Sequence, residues 1–508
     1  MKNLVFLTLL GFVLPGGVVA RAQEADAKPD KEIVAEQYLL VGSATRGCGE
    51  SQVAVNPVNP NQIAVSAMCI LNTNGGKYEQ TEEQFVHTPR GTVTQFAFTR
   101  DRGLTWTVME DPMRDYFHRY RCLDPFAAFT PDGTMILGCE AHFPIDRSPE
   151  EEINKALYNT RQHFGGSAMI WSTDGGRTFS HPMQIISSYM PKEVLGPFVS
   201  FAPTGSQGDR PEIRVDRSNG KIYVDGKSAA ADPPHRQTVL RMSSDPAAGF
   251  GMVYAFDSAE WPQSGGSGYD VANGILGVAY VASSVPASLN AKCPCRVFGA
   301  STDDGKSFER HLLPGPAPAA GQGGGGIGGT LVLANPTRKG MFTVLMGSSN
   351  TVEAYISEDA GKTWTKAASV PGVPTTSLAN LTAAYSPKGV MALTWRGVHT
   401  LSTPGAGRGG AGRGNPRGWH DVWQYSDMPE HFEIWSAVSR DGGKTFSAPF
   451  KVSTAPSPGV SRRRGMRNLG REFISVAVDD DFVHMTWYDD RAGFRATWYG
   501  RVPIADVK

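Results

Sequence analysis

The chain carries no net charge: over 508 residues, 49 lysines and arginines balance 49 aspartates and glutamates. No overall field draws it to nucleic acid or to an anionic membrane, and neither is expected as a partner. Zinc-site spacing is missing too. His87, His118, His142, His163 and His420 form neither H-x-x-x-H nor H-E-x-x-H, so no metal is expected. The glycine run over residues 321–329 lacks a following Gly-Lys-Ser/Thr, which excludes a phosphate loop and leaves a flexible connection. Nothing demands a cofactor, and none is expected.

The apolar stretch Leu4 to Ala20 is short for a membrane span and is interrupted by Pro15-Gly16-Gly17. With Lys2 before it and Ala20-Arg21-Ala22 after it, residues 1–22 read as a secretory signal peptide cut after Ala22. No cysteine stands at that cut to carry a lipid anchor. Residues 23–35 form a flexible lead-in, and residues 36–508 a single domain, secreted or periplasmic, without membrane insertion and monomeric. Cysteine is sparse. Six in an exported chain permit disulfides and leave 15 pairings open.

What is abundant is turn chemistry, with 58 glycines and 35 prolines. One short motif occurs five times: Thr99-Arg-Asp101-Arg-Gly103-Leu-Thr105-Trp106, then Ser172 to Phe179, Ser301 to Phe308, Ser357 to Trp364 and Ser439 to Phe446. Each follows a short apolar run. Hydroxyl and Asp side chains can bond nearby amides, Gly supplies positive φ, and the last aromatic re-enters a sheet. Met242-Ser-Ser-Asp245-Pro-Ala-Ala-Gly249-Phe250 reads as a decayed sixth copy. A second repeat, two short strands around a tight polar turn, precedes each motif and recurs at 52–67, 125–139, 212–225, 271–281, 330–346, 381–395 and 473–487. Seven inner hairpins with six outer ones predict an all-β fold: a β-propeller of four-stranded antiparallel blades, seven preferred and six the alternative. The segment Glu36 to Gly42 is expected to supply the outermost strand of the last blade and close the ring. Centring the first two hairpins on their turns pairs Cys48 with Cys69 and Cys122 with Cys139. Cys293-Pro-Cys295 is too tight for an ordinary bridge; a strained bridge is one reading, and a metal site is the weaker one because no second cysteine pair completes it.

The five motifs resemble the Asp-box (BNR) repeats of the sialidase-like propeller superfamily, and through them the resemblance covers nearly the whole mature chain. It implies motif turns on the face opposite the active site. A sialidase-like site would need three arginines for a substrate carboxylate, a Tyr nucleophile activated by a Glu, and an Asp for proton transfer. The family's first arginine belongs to an F-R-I-P sequence, which this chain lacks; Ala44-Thr-Arg46-Gly-Cys-Gly-Glu50 stands there instead. The segment Met68 to Asn74 offers no proton-transfer Asp.

If the motif turns lie below, strand ends above collect candidate substrate-binding residues Arg46, Arg121, Arg210, Arg396 and Arg471. Candidate catalytic residues there are Asp124, Glu212, Tyr488 and Asp489, beside Glu50, Glu140, His142, Asp225, Asp270 and Glu472. Structural readings stand beside these. Trp487-Tyr-Asp-Asp-Arg491 reads as a salt-bridge knot closing the ring, Arg210 and Glu212 as a cross-strand pair, and Asp124 before Pro125 as a turn former. The Arg-Gly tract over residues 404–417 reads as a top-face loop, and Ser461-Arg-Arg-Arg-Gly-Met-Arg467 as solvated rim. Three functions follow: an exo-glycosidase acting on a terminal, anionic sugar; a non-catalytic propeller binding a glycan or protein partner; or a polysaccharide lyase with His142 or Tyr488 as base.

Overall fold

The computed structural model describes residues 33, 35–43, 46–71, 92–116, 121–142, 165–187, 207–209, 211–228, 238–252, 254–315, 330–347, 352–367, 381–400, 431–458, 474–489 and 491–508. The expected signal peptide and most of the lead-in lie outside them. Seven antiparallel four-stranded sheets follow one another as the blades of a β-propeller. Blade one is built from Arg46–Val55, Ile63–Leu71, Thr92–Thr99 and Thr107–Glu110. Blade two uses Arg121–Phe129, Met135–His142, Gly165–Ser172 and Met183–Ser187; blade three Ile213–Val215, Ile222–Ser228, Thr238–Ser243 and Tyr254–Ala255. Blade four comprises Gln263–Ala272, Ile275–Ala282, Cys295–Ser301 and Glu309–Leu312; blade five Thr330–Ala334, Phe342–Gly347, Val352–Ser357 and Thr365–Lys366. Blade six comprises Leu381–Tyr385, Met391–Thr400, His431–Ser439 and Phe450–Lys451. Blade seven takes Ser475–Val478, Phe482–Asp489 and Ala496–Pro503 from the C-terminal end, and Glu36–Val41 from the N-terminal side as its outermost strand. Short extra strands, Gln207–Asp209 and Ser457–Pro458, extend blades three and six.

The splice in blade seven is paired from Glu36 opposite Arg501 to Val41 opposite Thr497. Arg501 Nε donates to Glu36 at 2.7 Å, and Gln37 reaches the Val452 carbonyl of blade six. The seven-blade count and the role of Glu36 to Gly42 are both as the hairpin arithmetic predicts. An extended segment at this edge satisfies backbone groups that an open sheet would expose.

Each recurrent turn links the third and fourth strands of its blade. In the second copy, Ser172 Oγ donates to Asp174 and accepts from Gly176 N–H, while Thr178 gives both its N–H (3.0 Å) and its hydroxyl (2.7 Å) to Asp174. The other four copies repeat these bonds. The turn glycine is required twice over. Gly361 has φ +89°, and a β-carbon there would collide with the Phe298 ring of blade four. Gly103 stands in the same way against Tyr499 of blade seven. The motif therefore closes its own blade and seats it on the preceding one. The decayed copy occupies the equivalent place with a looser set: the Asp245 carboxylate accepts from Ala247 and Ala248 N–H, and the Ser243 hydroxyl donates to the Asp245 carbonyl instead of the carboxylate. Position 249 is glycine, so the hydroxyl that completes the other copies is missing.

The hairpin turns below the innermost strands have their own device. Asn56, Asp216, Asn335, Ser386 and Asp479, all buried, each accept from the backbone N–H two residues on. Between blades the core is apolar and aromatic. Phe96 and Phe98 of blade one pack with Ala127, Phe129 and Leu137 of blade two, and Trp395 and Trp487 are fully enclosed in blades six and seven. Among the described residues no helix is long and apolar enough to cross a membrane.

Candidate functional site

The innermost strands enclose a central channel of about 610 Å³. Most of its wall is short or apolar, with Ala54, Ala127, Leu331, Ala383 and Ala477 among the lining residues. One side differs. In Glu212-Ile-Arg214-Val, strand alternation puts Glu212 and Arg214 on one face, and both line the channel with Asp270 of blade four. Arg214 donates to Glu212 Oε2 at 2.8 Å and lies 3.7 Å from Asp270 Oδ1. Burial works against the Arg214 charge, but Glu212 and Asp270 outweigh it and hold its pKa above the ordinary guanidinium value. Burial raises the Asp270 carboxyl, with Arg214 pulling the other way. Asp270 also accepts from Val271 N–H at 2.9 Å and from Ala334 N–H of blade five at 2.8 Å. Behind them Tyr269, fully enclosed, sets its hydroxyl 2.6 Å from the Glu212 carbonyl, and burial drives its pKa up.

A second group stands where blades six and seven meet on the face opposite the recurrent turns. Tyr488 is the last residue but one of the second strand of blade seven and is 3% exposed. Arg396 stacks over its ring with the guanidinium carbon 4.6 Å from the centroid, and Arg495 lies 5.0 Å away. Phe432 meets the ring edge-on at 5.6 Å and also carries Arg396 on its face. Both cations lie within the roughly 6 Å range of a cation–π contact with the ring. Asp489 beside it is fully buried and engaged. It accepts from Arg491 Nε at 2.7 Å, Arg491 N–H at 2.8 Å and Trp487 Nε1 at 3.2 Å. These bonds all lie within residues 487–491 of blade seven rather than between blades, and they occupy the Asp489 carboxylate.

Asp124 and Glu50 form a twin pair. Each sits in a bulge of the innermost strand, two residues after a disulfide cysteine, with φ of +41° and +46°. Non-glycine residues rarely adopt that region. The bridges Cys48–Cys69 and Cys122–Cys139 tie the strand carrying each bulge to its neighbour, as the hairpin register predicts. Cys293 and Cys295 are also joined.

The structure brings Arg396 to Tyr488, and Glu212 to Arg214 and Asp270. Arg46 instead bonds Glu110 of the outermost strand of blade one at 2.9 Å. Arg210 and Arg471 lie outside the described residues, and Arg121 is described only through its backbone opposite His142. Arg214 and Arg495 escaped the sequence reading. The polar alternation of 212–214 carried the signal for Arg214; nothing local marks Arg495, which meets Tyr488 only through the strand pairing. Among the described residues, Asp111, Cys122 and Cys139 are spaced like metal ligands, but both cysteines are spent in a disulfide and offer no thiolate.

No protein-family model and no curated protein matches this chain. Solved structures similar to it include a Dyadobacter fermentans protein of unknown function, at 14% identity over 92% of this chain and 98% of that one, TM-score 0.47. A Hadza microbial sialidase is 12% identical over 82% and 74%, TM-score 0.43. A mutant Trypanosoma rangeli sialidase displaying trans-sialidase activity is 14% identical over 80% of this chain but 56% of its own, TM-score 0.41. At these identities the site is read from this chain's own residues.

Proposed function

We propose that this chain is a secreted glycan-active propeller, an exo-glycosidase that releases a terminal anionic sugar at the face opposite the recurrent turns. One observation carries the reading: Tyr488 with the guanidinium groups of both Arg396 and Arg495 over its ring. A phenol is the nucleophile suited to an anomeric centre bearing a carboxylate, because an Asp or Glu there would meet like charge. Guanidinium groups beside it supply attraction for that carboxylate. In this scheme Tyr488, as its phenolate, attacks the anomeric carbon as the glycosidic bond breaks, and Asp124 at the bulge of blade two protonates the departing oxygen; water then displaces the phenolate, giving its proton to Asp124 and freeing the sugar. Asp489 positions Arg491 and Trp487, and Glu212 shapes the channel below. Arg46, Arg121, Arg210 and Arg471 are the further candidates for substrate contact. Disulfides fit the oxidising compartment that export provides.

A second reading is a glycan-binding propeller without catalysis. It is favoured by Arg46 and Arg214, cations that would suit a carboxylate but are engaged with Glu110 and with Glu212 and Asp270. A panel of 4-methylumbelliferyl glycosides, sialoside included, separates the two. Release from the sialoside that is lost in Tyr488→Phe supports the first reading. Release from neutral sugars alone removes the anionic specificity, and glycan binding with no release supports the second.

A further inference from the structure

We propose that Cys293–Cys295 is a thiol-exchange site on the same face of the propeller as Tyr488, where a low-molecular-weight thiol opens the bridge and is captured on Cys293. The contrast with the other two bridges carries this. Cys48, Cys69, Cys122 and Cys139 are at most 2% exposed, and their bridges close separations of 21 and 17 residues between paired strands. The Cys293–Cys295 bridge has a separation of 2 and joins no two strands. Both its cysteines are half-buried, and Lys292 and Pro294 around them are exposed. Cys295 opens the third strand of blade four, registered opposite Ala282 and packed against that blade's core. Cys293 lies outside the strand between the exposed Lys292 and Pro294, and its sulfur is the one the proposal assigns to attack.

Energetics point the same way. Constraining the unfolded chain rewards a bridge more as its loop lengthens, and a bridge spanning one residue gains least from that effect. Exposed disulfides are the exchangeable ones, while buried sulfurs are closed to an attacking thiolate. In the first step a thiolate RS⁻ forms a bond to Cys293 Sγ as the Sγ–Sγ bond breaks. The electron pair leaves on Cys295 Sγ, which takes a proton from water. A second RS⁻ then attacks the thiol-derived sulfur, releasing RSSR and the Cys293 thiolate. Two thiols are oxidised to one disulfide, and the protein bridge is reduced to two thiols.

The test titrates the native, fully oxidised protein with glutathione, traps free thiols with N-ethylmaleimide and maps the peptides by mass. The 293/295 peptide is expected to label at a glutathione concentration at least tenfold below that needed for the four blade cysteines, with circular dichroism unchanged. Folded Cys295→Ser protein exposed to oxidised glutathione should carry a single adduct, on Cys293. Labelling of the three bridges together, or of the blade one and two bridges first, overturns the proposal. So does a folded Cys295→Ser protein that forms no adduct.

Discussion

Replacing Arg214 with Met keeps the chain length and removes the cation that separates Glu212 from Asp270. In the structure that guanidinium lies 2.8 Å from one carboxylate and 3.7 Å from the other. Removing one partner of a wholly buried ion pair costs about 3–5 kcal/mol. These side chains keep 34%, 19% and 19% of their exposure, facing channel water, so the interaction is partly screened. A loss of about 1–3 kcal/mol at neutral pH is the discounted expectation. The pH dependence is more diagnostic. Burial already raises Asp270, and loss of Arg214, which opposes that rise, lifts it further. A carboxyl whose folded pKa exceeds its unfolded value costs stability at neutral pH, and the cost vanishes as the pH falls through the folded value. The gap between variant and wild type should therefore be widest near neutrality and narrow on acidification. Urea unfolding followed by tryptophan fluorescence at neutral and mildly acidic pH measures it. Asp270→Asn in the Arg214→Met background should restore part of the loss. A gap equal at both pH values, or a double variant no more stable than the single one, would refute the reasoning.

Other outcomes follow from the turns. Asp303→Ala removes three bonds, to Ser301 and to the N–H and hydroxyl of Ser307, and should cost about 1–3 kcal/mol by thermal unfolding. Asp245→Ala in the looser copy should cost less, and the reverse order would contradict the assigned bonding. Gly361→Ala meets both a left-handed backbone and the Phe298 ring, whereas Gly274→Ala meets only the backbone, with nothing within 4 Å. The first should lose at least about 2 kcal/mol and the second about 1 kcal/mol, as chemical denaturation would show. The Thr105 and Thr99 hydroxyls hold the Asp101 carboxyl at about 2. That contribution is complete above the unfolded value of 3.8 and is lost as pH falls through about 2. Thr105→Val should move the Asp101 carboxyl upward in an NMR titration; an unmoved titration would put the turn bonds in error.

The ring was legible in the sequence because its signals are local. Asp, Gly and hydroxyl residues at fixed offsets favour one turn through bonds made within the motif, and alternation such as Phe482-Val-His-Met-Thr-Trp487 marks a strand without reference to anything distant. Even the closing strand followed from a count, since seven inner hairpins with six outer ones leave one edge open. The site was less legible because it depends on strand register and on how far each side chain reaches. Arg495 reaches Tyr488 only because Tyr488 pairs with Thr497, two residues beyond it, on the adjacent strand. Arg46 stands at a strand start as expected, yet its length lets it cross the blade edge to Glu110, which no pattern in residues 44–50 foretells. Asp489 shows the same limit. An acid at a strand end looks like a catalyst until Trp487 and Arg491 are seen to occupy it.

The reading of function rests on Tyr488 as the nucleophile. Incubating the protein with 2,3-difluoro sialic acid, digesting it and mapping the peptides by mass tests that most directly. A covalent sugar on Tyr488, formed in wild type and lost in Tyr488→Phe, is the expected result. Turnover of a sialoside with the label on another residue, or turnover that survives in Tyr488→Phe, would contradict it.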